Sequence, residues 1–430
     1  PSGLASAYAA AKNGARVILA EDKPRFGGSL LTSDVNIGNQ TGVEWTEKII
    51  AELKSMPNVT VKNRSQVFGY YDHNMLVMSE RISDHLPKTQ KYLPKQRLWY
   101  IRANEVLISS GSIERPLVFG NNDTPGVMLS SAAKEYMKVY GVLVGKKPLI
   151  FTNNDSGYET AIEFKKNGVN PIILDTRSNP SSDIITEAKN LNIEIRFSYV
   201  VVAAKGYKKV KSADIAKISD DKKELFNIEN IECDCICVSG FWTPSIHLAS
   251  QSGNKSKFNE KIDAFVPDKS KQKENTIGSA NGIFTLEETI KDAFDKGFDV
   301  SNKITEKNNK VSVPTVVEKK STDHDKFWCV PLPKGKSYKR FLDFQNDVAV
   351  SDIELALREG FRSIEHVKRY TTLGMATDQG KTSNLNGLQL VSDIENKVVP
   401  QVGHTTFRPP YTPVSIGAIV GREVGKHSKP

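Results

Sequence analysis

The first residues of the chain have the types and spacing of a dinucleotide-binding fingerprint. Pro1-Ser2-Gly3-Leu4-Ala5 reads as the second half of the motif G-x-G-x-x-G, and small and apolar residues continue to Gly14. Residues 15–20 form a predicted strand that ends at an acid, Glu21, about 20 residues after the turn. In such folds a bare helix N-terminus binds a pyrophosphate and the acid binds a ribose hydroxyl. We expect the missing glycines and their strand to precede Pro1 in the natural protein.

Three later segments are expected to return to the same cofactor. The loop 22–30 contains two adjacent glycines, which allow the backbone to approach a ligand closely. In residues 105–111 an apolar strand runs into Ser-Gly, a second hallmark of two-dinucleotide folds. In residues 277–288 a strand and loop lead into a helix, for which Thr285 and Glu288 predict a capping box.

A second Rossmann-like unit is predicted between these segments. Residues 147–152 and 170–175 read as strands with a helix between them. Before this unit, residues 67–108 read as a β-meander. The turn 153–157 contains no glycine fingerprint. Asp155 would place a negative charge where a pyrophosphate would lie. We therefore predict that this unit is scaffold and binds no nicotinamide dinucleotide.

Three cysteines lie close together in residues 233–240. Strand alternation predicts that Cys233, Cys235 and Cys237 share one face. Metal binding or redox chemistry is one interpretation, and small buried side chains are the other. The spacing C-x-C-x-C is not the C-x-x-C of zinc knuckles or thioredoxin-type sites, which favours the second interpretation and predicts no metal.

The C-terminal part is predicted to be a polar linker, a helical unit and an extended tail. The linker covers residues 301–326, and the helical unit begins at Trp328. One helix is predicted with Ser351 as its N-cap and Gly360 as its end. A second helix runs from Ser363 to Tyr370, and the tail 400–430 is rich in Pro and Gly.

Composition narrows the functional classes. The 430 residues carry a net charge of +9 and four cysteines. So few cysteines exclude a disulfide scaffold and suit a reducing compartment. The charge lies in lysine-rich loops without an aromatic or Gly-rich RNA signature, so no nucleic-acid partner is predicted. No apolar run has the length of a membrane span, so no membrane partner is predicted.

Several longer strings carry a resemblance to a known family. The string Arg358-Glu359-Gly360-Phe361-Arg362-Ser363 and residues 365–384, which include the run T-T-L-G-M-A-T-D-Q-G-K-T-S-N, closely resemble the α subunit of heterotetrameric sarcosine oxidase. Residues 343–348, 407–414 and 151–156 add to it, and the similarity covers the whole chain. These strings are more specific than any glycine pattern.

The resemblance implies a fold class and a domain order. The fold class is α/β, with two Rossmann-like dinucleotide-binding units of the flavoprotein disulfide-reductase type and a small helical module. Residues 1–325 would form an FAD/NAD(P)-binding-like module, with the second Rossmann unit inserted at roughly 141–240. Residues 326–400 would be the helical module. Residues 401–430 would lead to a missing aminomethyltransferase-like, folate-binding domain.

The resemblance also implies an activity. The family complex is a cytoplasmic oxidoreductase that oxidises sarcosine (N-methylglycine) to glycine, yields peroxide and passes the one-carbon unit to tetrahydrofolate. Its β, γ and δ subunits are the implied partners, with FAD in the β subunit and FMN at the α/β boundary. This chain would hold a noncovalent NAD and no catalytic residue.

The cofactor-binding residues are carried over by their matching positions. Ser2 and Gly3 would lie at the pyrophosphate, Glu21, Asp22 and Lys23 at the adenosine ribose, and the Val67 backbone at the adenine. The complete set of predicted contacts is Ser2, Gly3, Glu21, Asp22, Lys23, Gly28, Ser29, Val67, Ala280 and Thr285.

The sequence also leaves different functions open. The α subunits of opine, proline and cyanide-forming amino-acid dehydrogenases share the dinucleotide module, but their iron–sulfur centre needs about four thiolates. The helical unit here offers only Cys329. A stand-alone pyridine-nucleotide flavin reductase is a further hypothesis, and a catalytically inactive scaffold is another. Lys381 resembles a phosphate-binding tip for FMN, and both it and His366 also have structural interpretations.

Overall fold

The computed structural model describes residues 1–88, 92–318 and 323–421, and it has an α/β architecture. The helices are α1 (Ser2–Lys12), α2 (Gly42–Ser55), α3 (Ser130–Tyr140), α4 (Ser156–Lys166), α5 (Asp183–Asn190), α6 (His247–Gln251), α7 (Leu286–Thr305), α8 (Val350–Arg358), α9 (Ile364–Thr371), α10 (Asn384–Glu395), α11 (Val399–Val402) and α12 (Ile416–Val420). Short 3₁₀ turns cover Gly28–Leu31 and Gly278–Asn281.

Short strands alternate with these helices in the N-terminal three quarters of the chain. They are β1 (Val17–Ala20), β2 (Asn36–Ile37), β3 (Gln40–Thr41), β4 (Val59–Lys62), β5 (Ser65–Tyr71), β6 (Met75–Arg81), β7 (Gln96–Arg102), β8 (Val106–Ile108), β9 (Ser112–Glu114), β10 (Val127–Leu129), β11 (Pro148–Thr152), β12 (Ile172–Asp175), β13 (Glu194–Phe197), β14 (Tyr199–Gly206), β15 (Val210–Ile218), β16 (Leu225–Glu232), β17 (Cys235–Ser239), β18 (Trp242–Pro244), β19 (Lys255–Asn259), β20 (Ala264–Lys269), β21 (Glu274–Thr276), β22 (Val316–Val317), β23 (Phe341–Asp343) and β24 (Val348–Ala349).

The first unit is built on two parallel strand pairs. Strand β1 pairs with β4, and β8 pairs with β21. Helices α1, α2 and α7 pack on these strands and bury an apolar core that includes Leu19, Trp45 and Ile290. The antiparallel meander β5–β6–β7 is appended to this unit. The helix and strand predicted for residues 1–21 are therefore confirmed.

The second unit contains one five-stranded parallel sheet in the order β10–β17–β11–β12–β13. Helices α3, α4 and α5 cover one of its cores, which includes Ile150, Tyr158 and Phe164. The antiparallel meander β14–β15–β16 contributes Val200, Val201 and other buried residues to the core on the other side. Parallel strands joined through helices are the hallmark of a Rossmann-like unit, so the predicted second unit is confirmed.

The helical unit packs helices α8, α9, α10 and α11 around a separate apolar core. Ile353, Val367 and Val391 are fully buried there, together with Val118 from the N-terminal part of the chain. The N-cap of α8 is Ala349 and not Ser351, so that detail of the prediction was wrong. The Asp352 carboxylate accepts a hydrogen bond from the Ala349 amide at 2.8 Å, which starts the helix two residues earlier.

The three cysteines of residues 233–237 do not share one face. Strand β17 begins only at Cys235, so alternation does not extend back through the bend at Asp234. Cys235 and Cys237 pack in the core beneath α3 and α4, whereas Cys233 packs in the core beneath the meander β14–β15–β16. All three thiols are buried and unpaired by disulfides, and burial raises the pKa of Cys233 to about 12.

Helix α7 extends into the segment predicted as linker. Two hydrogen bonds to Asn13 hold its last turn. The Asn13 side-chain amide donates to the Ser301 hydroxyl at 3.0 Å, and the Thr305 hydroxyl donates to the backbone carbonyl of Asn13 at 3.2 Å. The predicted capping box at its start is replaced by a side-chain pair. The Thr285 hydroxyl donates to the Glu288 carboxylate at 2.6 Å, while the N-cap position itself is confirmed.

The predicted extended tail includes two short helices, α11 and α12. Ser415 caps α12, since its hydroxyl accepts from the Ala418 amide at 3.3 Å. Residues 319–322 of the predicted linker and 422–430 of the predicted tail lie outside the described residues. Among the helices of the described ranges, none combines the length and the apolar character that crossing a bilayer would demand.

Helices α1 and α7 approach each other most closely at Gly297. A Cβ added there would lie 2.4 Å from the Ser6 carbonyl oxygen, which is backbone and has little freedom to move. We expect Gly297→Ala to lower the free energy of unfolding by roughly 1–3 kcal/mol, although alanine favours helix. Denaturant titration measures this change.

The matched control is Gly417→Ala, because a Cβ at this helical glycine meets open space. That variant should retain the stability of the parent protein. Equal unfolding midpoints for the Gly297→Ala variant and the parent would contradict the close-approach interpretation.

Candidate functional site

Three segments that are distant in sequence converge at the start of α1. A Cβ placed on Gly3 would lie 2.6 Å from the Ser109 hydroxyl, so the residues after β8 touch this helix. A Cβ on Gly278, whose φ is +62°, would lie 2.7 Å from the Ser2 hydroxyl. The absence of these side chains brings three backbone segments to one point.

The start of α1 has the properties of an anion site. Within the described residues no side chain caps it, and its first turn contains no acidic residue. Gly28 and Ser29 are exposed beside it. Gly28 has a φ of +54°, and a Cβ added to it would lie 3.4 Å from the Pro1 ring. Uncapped amide groups at a helix N-terminus carry a partial positive charge. This arrangement fits a diphosphate.

Glu21 lies directly after β1, where its backbone is fixed on both sides. Its amide donates to the Lys62 carbonyl at 2.9 Å, and its carbonyl accepts from the Ser65 amide at 2.8 Å. Its carboxylate accepts a hydrogen bond from the Lys23 amide at 3.0 Å. Burial first, and then the nearby Asp22, raise the pKa of Glu21 to about 7. A half-buried carboxylate of this kind is suited to accept ribose hydroxyls.

The other predicted residues of the adenosine end lie near Glu21. Asp22 and Lys23 are exposed, and the Lys23 ammonium pairs with the Glu135 carboxylate of α3 at 2.6 Å. Val67 lies in β5 next to a register shift in the β5–β6 ladder. Ser65, two residues before it, is joined to Glu21, so β5 begins at the predicted ribose site.

Ala280 and Thr285 lie in the 3₁₀ turn before α7 and at the N-cap of α7. Ala280 is completely buried, backbone and side chain alike, in the 3₁₀ turn whose Gly278 lies against Ser2. The hydroxyl of Thr285 is engaged by Glu288, and the Leu286 amide donates to the Glu318 carboxylate at 2.6 Å. The N-terminus of α7 is thus already provided with an anion, and the roles of both residues stay predictions.

The corresponding turn of the second unit is closed. Asp155 is 1% exposed, and its carboxylate forms an ion pair with the Arg177 guanidinium at 3.0 Å. The same guanidinium pairs with the Asp175 carboxylate at 2.8 Å. The first amide of α4 donates to the Asn154 side chain at 2.9 Å. The negative charge expected from Asp155 is therefore located where the sequence predicts it, but an arginine balances it.

A second group of polar residues converges between the first unit and the helical unit. A cavity there is lined by His247, Lys381, Asn384, Phe407 and Tyr411, among others. The Lys381 ammonium lies 4.1 Å from the centroid of the Tyr411 ring. The Nδ1 atom of His247 and the Oδ1 atom of Asn384 are buried without a hydrogen-bond partner among the described residues.

Burial at this cavity disfavours the protonated forms of both His247 and Lys381. Burial, and secondly Lys381, lower the pKa of His247 well below its ordinary value. Burial also lowers the pKa of Lys381. Sequence reasoning identified Lys381 but missed His247 and Tyr411, because no local pattern links them to it. His366, the other residue considered, is exposed on α9.

The loop that carries Lys381 is tightly held. Thr372, Gly374, Gln379 and Gly380 all have φ between +52° and +75°. The Asp343 carboxylate accepts a hydrogen bond from the Gly374 amide at 2.7 Å, and this bond anchors the loop to β23. The two glycines adopt such angles freely, but Thr372 and Gln379 hold them only where surrounding contacts impose them, and residues of this kind concentrate at ligand sites.

Comparison with known proteins gives a consistent picture. Residues 337–422 match the family described as the sarcosine oxidase A3 domain. The whole chain is 37% identical to a sarcosine oxidase subunit alpha from Rhizobium meliloti (strain 1021), of which it covers 42%. It is 32% identical over 99% of its length to the one from Corynebacterium sp. (strain P-1), of which it covers 45%. The chain thus spans less than half the length of these relatives, and the resemblance seen in the sequence is confirmed.

Solved structures agree on the fold. An L-proline dehydrogenase from P. horikoshii is similar over 98% of this chain and 78% of its own, with a TM-score of 0.71 and 19% identity. A thioredoxin reductase from T. acidophilum is similar over 71% of this chain and 94% of its own, with a TM-score of 0.53 and 16% identity. The predicted α/β class with Rossmann-like units is confirmed. In the described ranges, no three or more His, Cys, Asp or Glu side chains are grouped to hold a metal ion.

If a dinucleotide binds with its ribose at Glu21, the raised pKa of this carboxyl predicts that binding depends on pH. Hydroxyl groups donate to the ionised carboxylate, so binding should strengthen as pH rises through about 7. If only the ionised form binds, affinity for NAD should be about tenfold higher at pH 8 than at pH 6. Titration calorimetry of the nucleotide-free protein measures this ratio.

The Glu21→Gln variant serves as the control, because its side chain does not titrate. Its affinity should be lower than that of the parent at pH 8 and should not change between pH 6 and pH 8. The linked stability has the opposite sign. A raised carboxyl pKa stabilises the nucleotide-free fold below about 4.5, and this contribution is lost as pH rises through about 7. A parent protein with equal affinities at both pH values would rule out Glu21 as the ribose acceptor.

Proposed function

Since this chain is a homologue of sarcosine oxidase α subunits along its whole length, we propose that it acts as the dinucleotide-binding part of such a subunit. The complex would be an oxidoreductase that converts sarcosine to glycine with formation of peroxide and transfers the one-carbon unit to tetrahydrofolate. A cytoplasmic location, partner β, γ and δ subunits, and a folate-binding domain beyond this chain belong to the same proposal.

The observation that carries the proposal is the convergence at α1. The uncapped helix start, the close glycine contacts and the acid at the end of β1 are the three parts that a dinucleotide requires. Glu21 suits a ribose with a free 2′-hydroxyl and disfavours a 2′-phosphate, because two negative charges would meet. We propose NAD as the ligand, with the ten predicted residues around it.

The role of this chain in the reaction is binding and orientation. No nucleophile paired with a base is evident at the α1 site within the described residues, and Ser2 and Ser109 pack against glycine backbone. When bound in the complex, FAD in the β subunit would supply the amine-oxidation chemistry. Residues of this chain would hold a noncovalent NAD whose role is structural.

The cavity at His247 and Lys381 supports the second cofactor of the proposal. Lys381, on a tightly held loop, provides a point charge for a phosphate, and the aromatic rings of Phe407 and Tyr411 provide apolar faces. We propose that Lys381 contacts the phosphate of FMN at the α/β boundary. The neutral His247 leaves one ring nitrogen for a polar contact.

The identity of the bound nucleotide tests the first part of the proposal. The full-length complex should release one NAD from this chain, as measured by mass spectrometry of the extracted ligand, and should produce peroxide when sarcosine is added. FAD in this site would favour a pyridine-nucleotide reductase instead. Absence of turnover with sarcosine and with close secondary amines would refute the oxidase assignment.

Replacement of Lys381 tests the FMN proposal. The Lys381→Ala variant of the complex should lose most of its FMN, because the phosphate would face a half-buried site without a cation, whereas its FAD content should not change. Chromatographic quantification of both flavins gives the ratio.

Lys336→Ala provides the matched control, since Lys336 is an exposed lysine of the same unit. That variant should keep both flavins. An unchanged FMN-to-FAD ratio in the Lys381→Ala complex would remove Lys381 from the proposed site.

A further inference from the structure

Open α/β units usually bind a nucleotide outside the carboxyl ends of their strands, and this place in the second Rossmann unit is here called the crevice. The crevice lies at the carboxyl ends of β11 and β12, beside the turn Asn153–Asp155 and the residues that follow Asp175. Ligands of open α/β sheets bind outside the carboxyl ends of the strands at this place. The described part of the chain contains a segment of its own in this crevice.

This segment, residues 323–327, is here called the strap. His324 forms an isolated antiparallel bridge with Asn154. The Asp325 amide donates to the Asn153 carbonyl at 2.9 Å, and the Asn153 side-chain amide donates back to the Asp325 carbonyl at 2.8 Å. The strap thus binds the β11–α4 turn through its backbone, as an added strand would.

Side chains of the strap complete the fit to the crevice. The Asp325 carboxylate accepts a hydrogen bond from the Thr176 hydroxyl at 2.9 Å and forms an ion pair with the Lys222 ammonium at 2.9 Å. Thr176 follows β12, where a nucleotide ribose would lie. Phe327 is 5% exposed and joins the core beneath the meander β14–β15–β16. An acidic side chain therefore occupies the crevice where a ligand phosphate or ribose would be expected.

The charges of the crevice are satisfied within the protein. Arg177 is 8% exposed and is engaged by the carboxylates of Asp155 and Asp175. The Tyr158 hydroxyl donates to Asp175 at 2.7 Å, and the Trp242 indole donates to the Ser156 hydroxyl at 2.8 Å over the start of α4. A phosphate in this place would meet buried carboxylates and would have to displace an arginine from both of them.

The strap also contacts residues next to β18 and β20, and it continues into the core of the helical unit. The imidazole of His324 stacks on Phe241 with ring centroids 3.9 Å apart and bonds to the Asp263 carboxylate at 3.1 Å. Immediately after the strap, the Trp328 carbonyl accepts a hydrogen bond from the Val118 amide at 2.9 Å. The Val330 amide donates a hydrogen bond to the Val118 carbonyl at 2.8 Å. Val118 belongs to the core of the helical unit, so the strap leads directly into that core.

We propose that the second Rossmann unit acts as the receptor for the strap, and that the nucleotide crevice is converted into a latch that holds the helical unit in place. The cavity that contains Lys381 is formed between β18, α6 and the helical unit, so its geometry depends on this latch. The crevice accordingly takes no nucleotide. This proposal goes beyond the assignment of substrate and does not depend on it.

Hydrogen–deuterium exchange of the full-length complex tests the latch with the Asp325→Ala variant. Loss of the contacts to Thr176 and Lys222 should raise exchange at the amides of Asp325 and Val330 at least tenfold, and exchange across residues 341–402 should also rise. The nucleotide content of the α1 site should remain the same. Exchange that stays at the parent level in both the strap and the helical unit would overturn the proposal.

Two further variants keep this test decisive. Thr176→Val removes one hydrogen bond with little change of shape, so its effect should have the same direction and be smaller than that of Asp325→Ala. Asp220→Ala removes an exposed acid from the turn next to Lys222 and should leave exchange unchanged. An Asp220→Ala effect equal to that of Asp325→Ala would reveal a general charge effect and contradict a specific latch.

Added nucleotide tests the second half of the proposal. Millimolar NADH or NADPH should leave exchange unchanged in residues 153–156 and 175–177, because the strap fills the crevice. Protection of these residues by either nucleotide, or release of the strap, would assign the crevice as a cofactor site. This outcome is distinguishable from failure of the sarcosine assay, which concerns the whole complex.

Discussion

The first unit depends on a helix start that is crowded by backbone and yet left without a counter-charge. Helix α1 needs glycine at positions 3 and 278 so that the residues after β8 and the 3₁₀ turn before α7 can contact it. Among the described residues no side chain caps this helix, and no acid lies in its first turn. An uncompensated helix end of this kind has a cost in water, and an anion removes that cost. The raised pKa of Glu21 has a related origin, since burial removes water from a carboxylate before any ligand replaces it.

The two Rossmann-like units use the same architecture for opposite purposes. At α4 the first amide is capped by Asn154, and the acid after the strand is paired with Arg177. At α1 the corresponding groups lack such partners. A unit whose polar groups are internally satisfied has little to gain from a ligand, because binding would break buried ion pairs that are expensive to separate. Its crevice is therefore available to the chain itself, and the strap has the hydrogen-bonding groups and the acidic side chain that match it.

The helical unit adds a site that neither Rossmann unit contains. Its helices form their own core, but the cavity around Lys381 also needs His247 and the residues of β18. Polar atoms left without partners in a buried place are uncommon in folded proteins. Among the described residues that line this cavity, four carry such an atom: Thr243, His247, Asn384 and His404. The strained loop before Lys381 has the same character, since the Asp343 contacts hold a conformation that the loop residues would not adopt alone.

Sequence alone determined those features that depend on neighbours along the chain. The helix and strand of residues 1–21, the acid at their end and the missing glycine fingerprint at 153–157 follow from local spacing. The family resemblance rests on longer strings of matching residues. Local rules predicted the ends of elements less well, because a single side-chain hydrogen bond or a bend shifts a boundary. The N-cap of α8 is Ala349 instead of the predicted Ser351, and Cys233 lies outside the strand that contains the other two cysteines. Tertiary structure alone decided that His247 meets Lys381 and that the strap fills the second crevice. These residues lie far apart in the chain, and only the packing of separate cores against each other brings their polar groups within bonding distance.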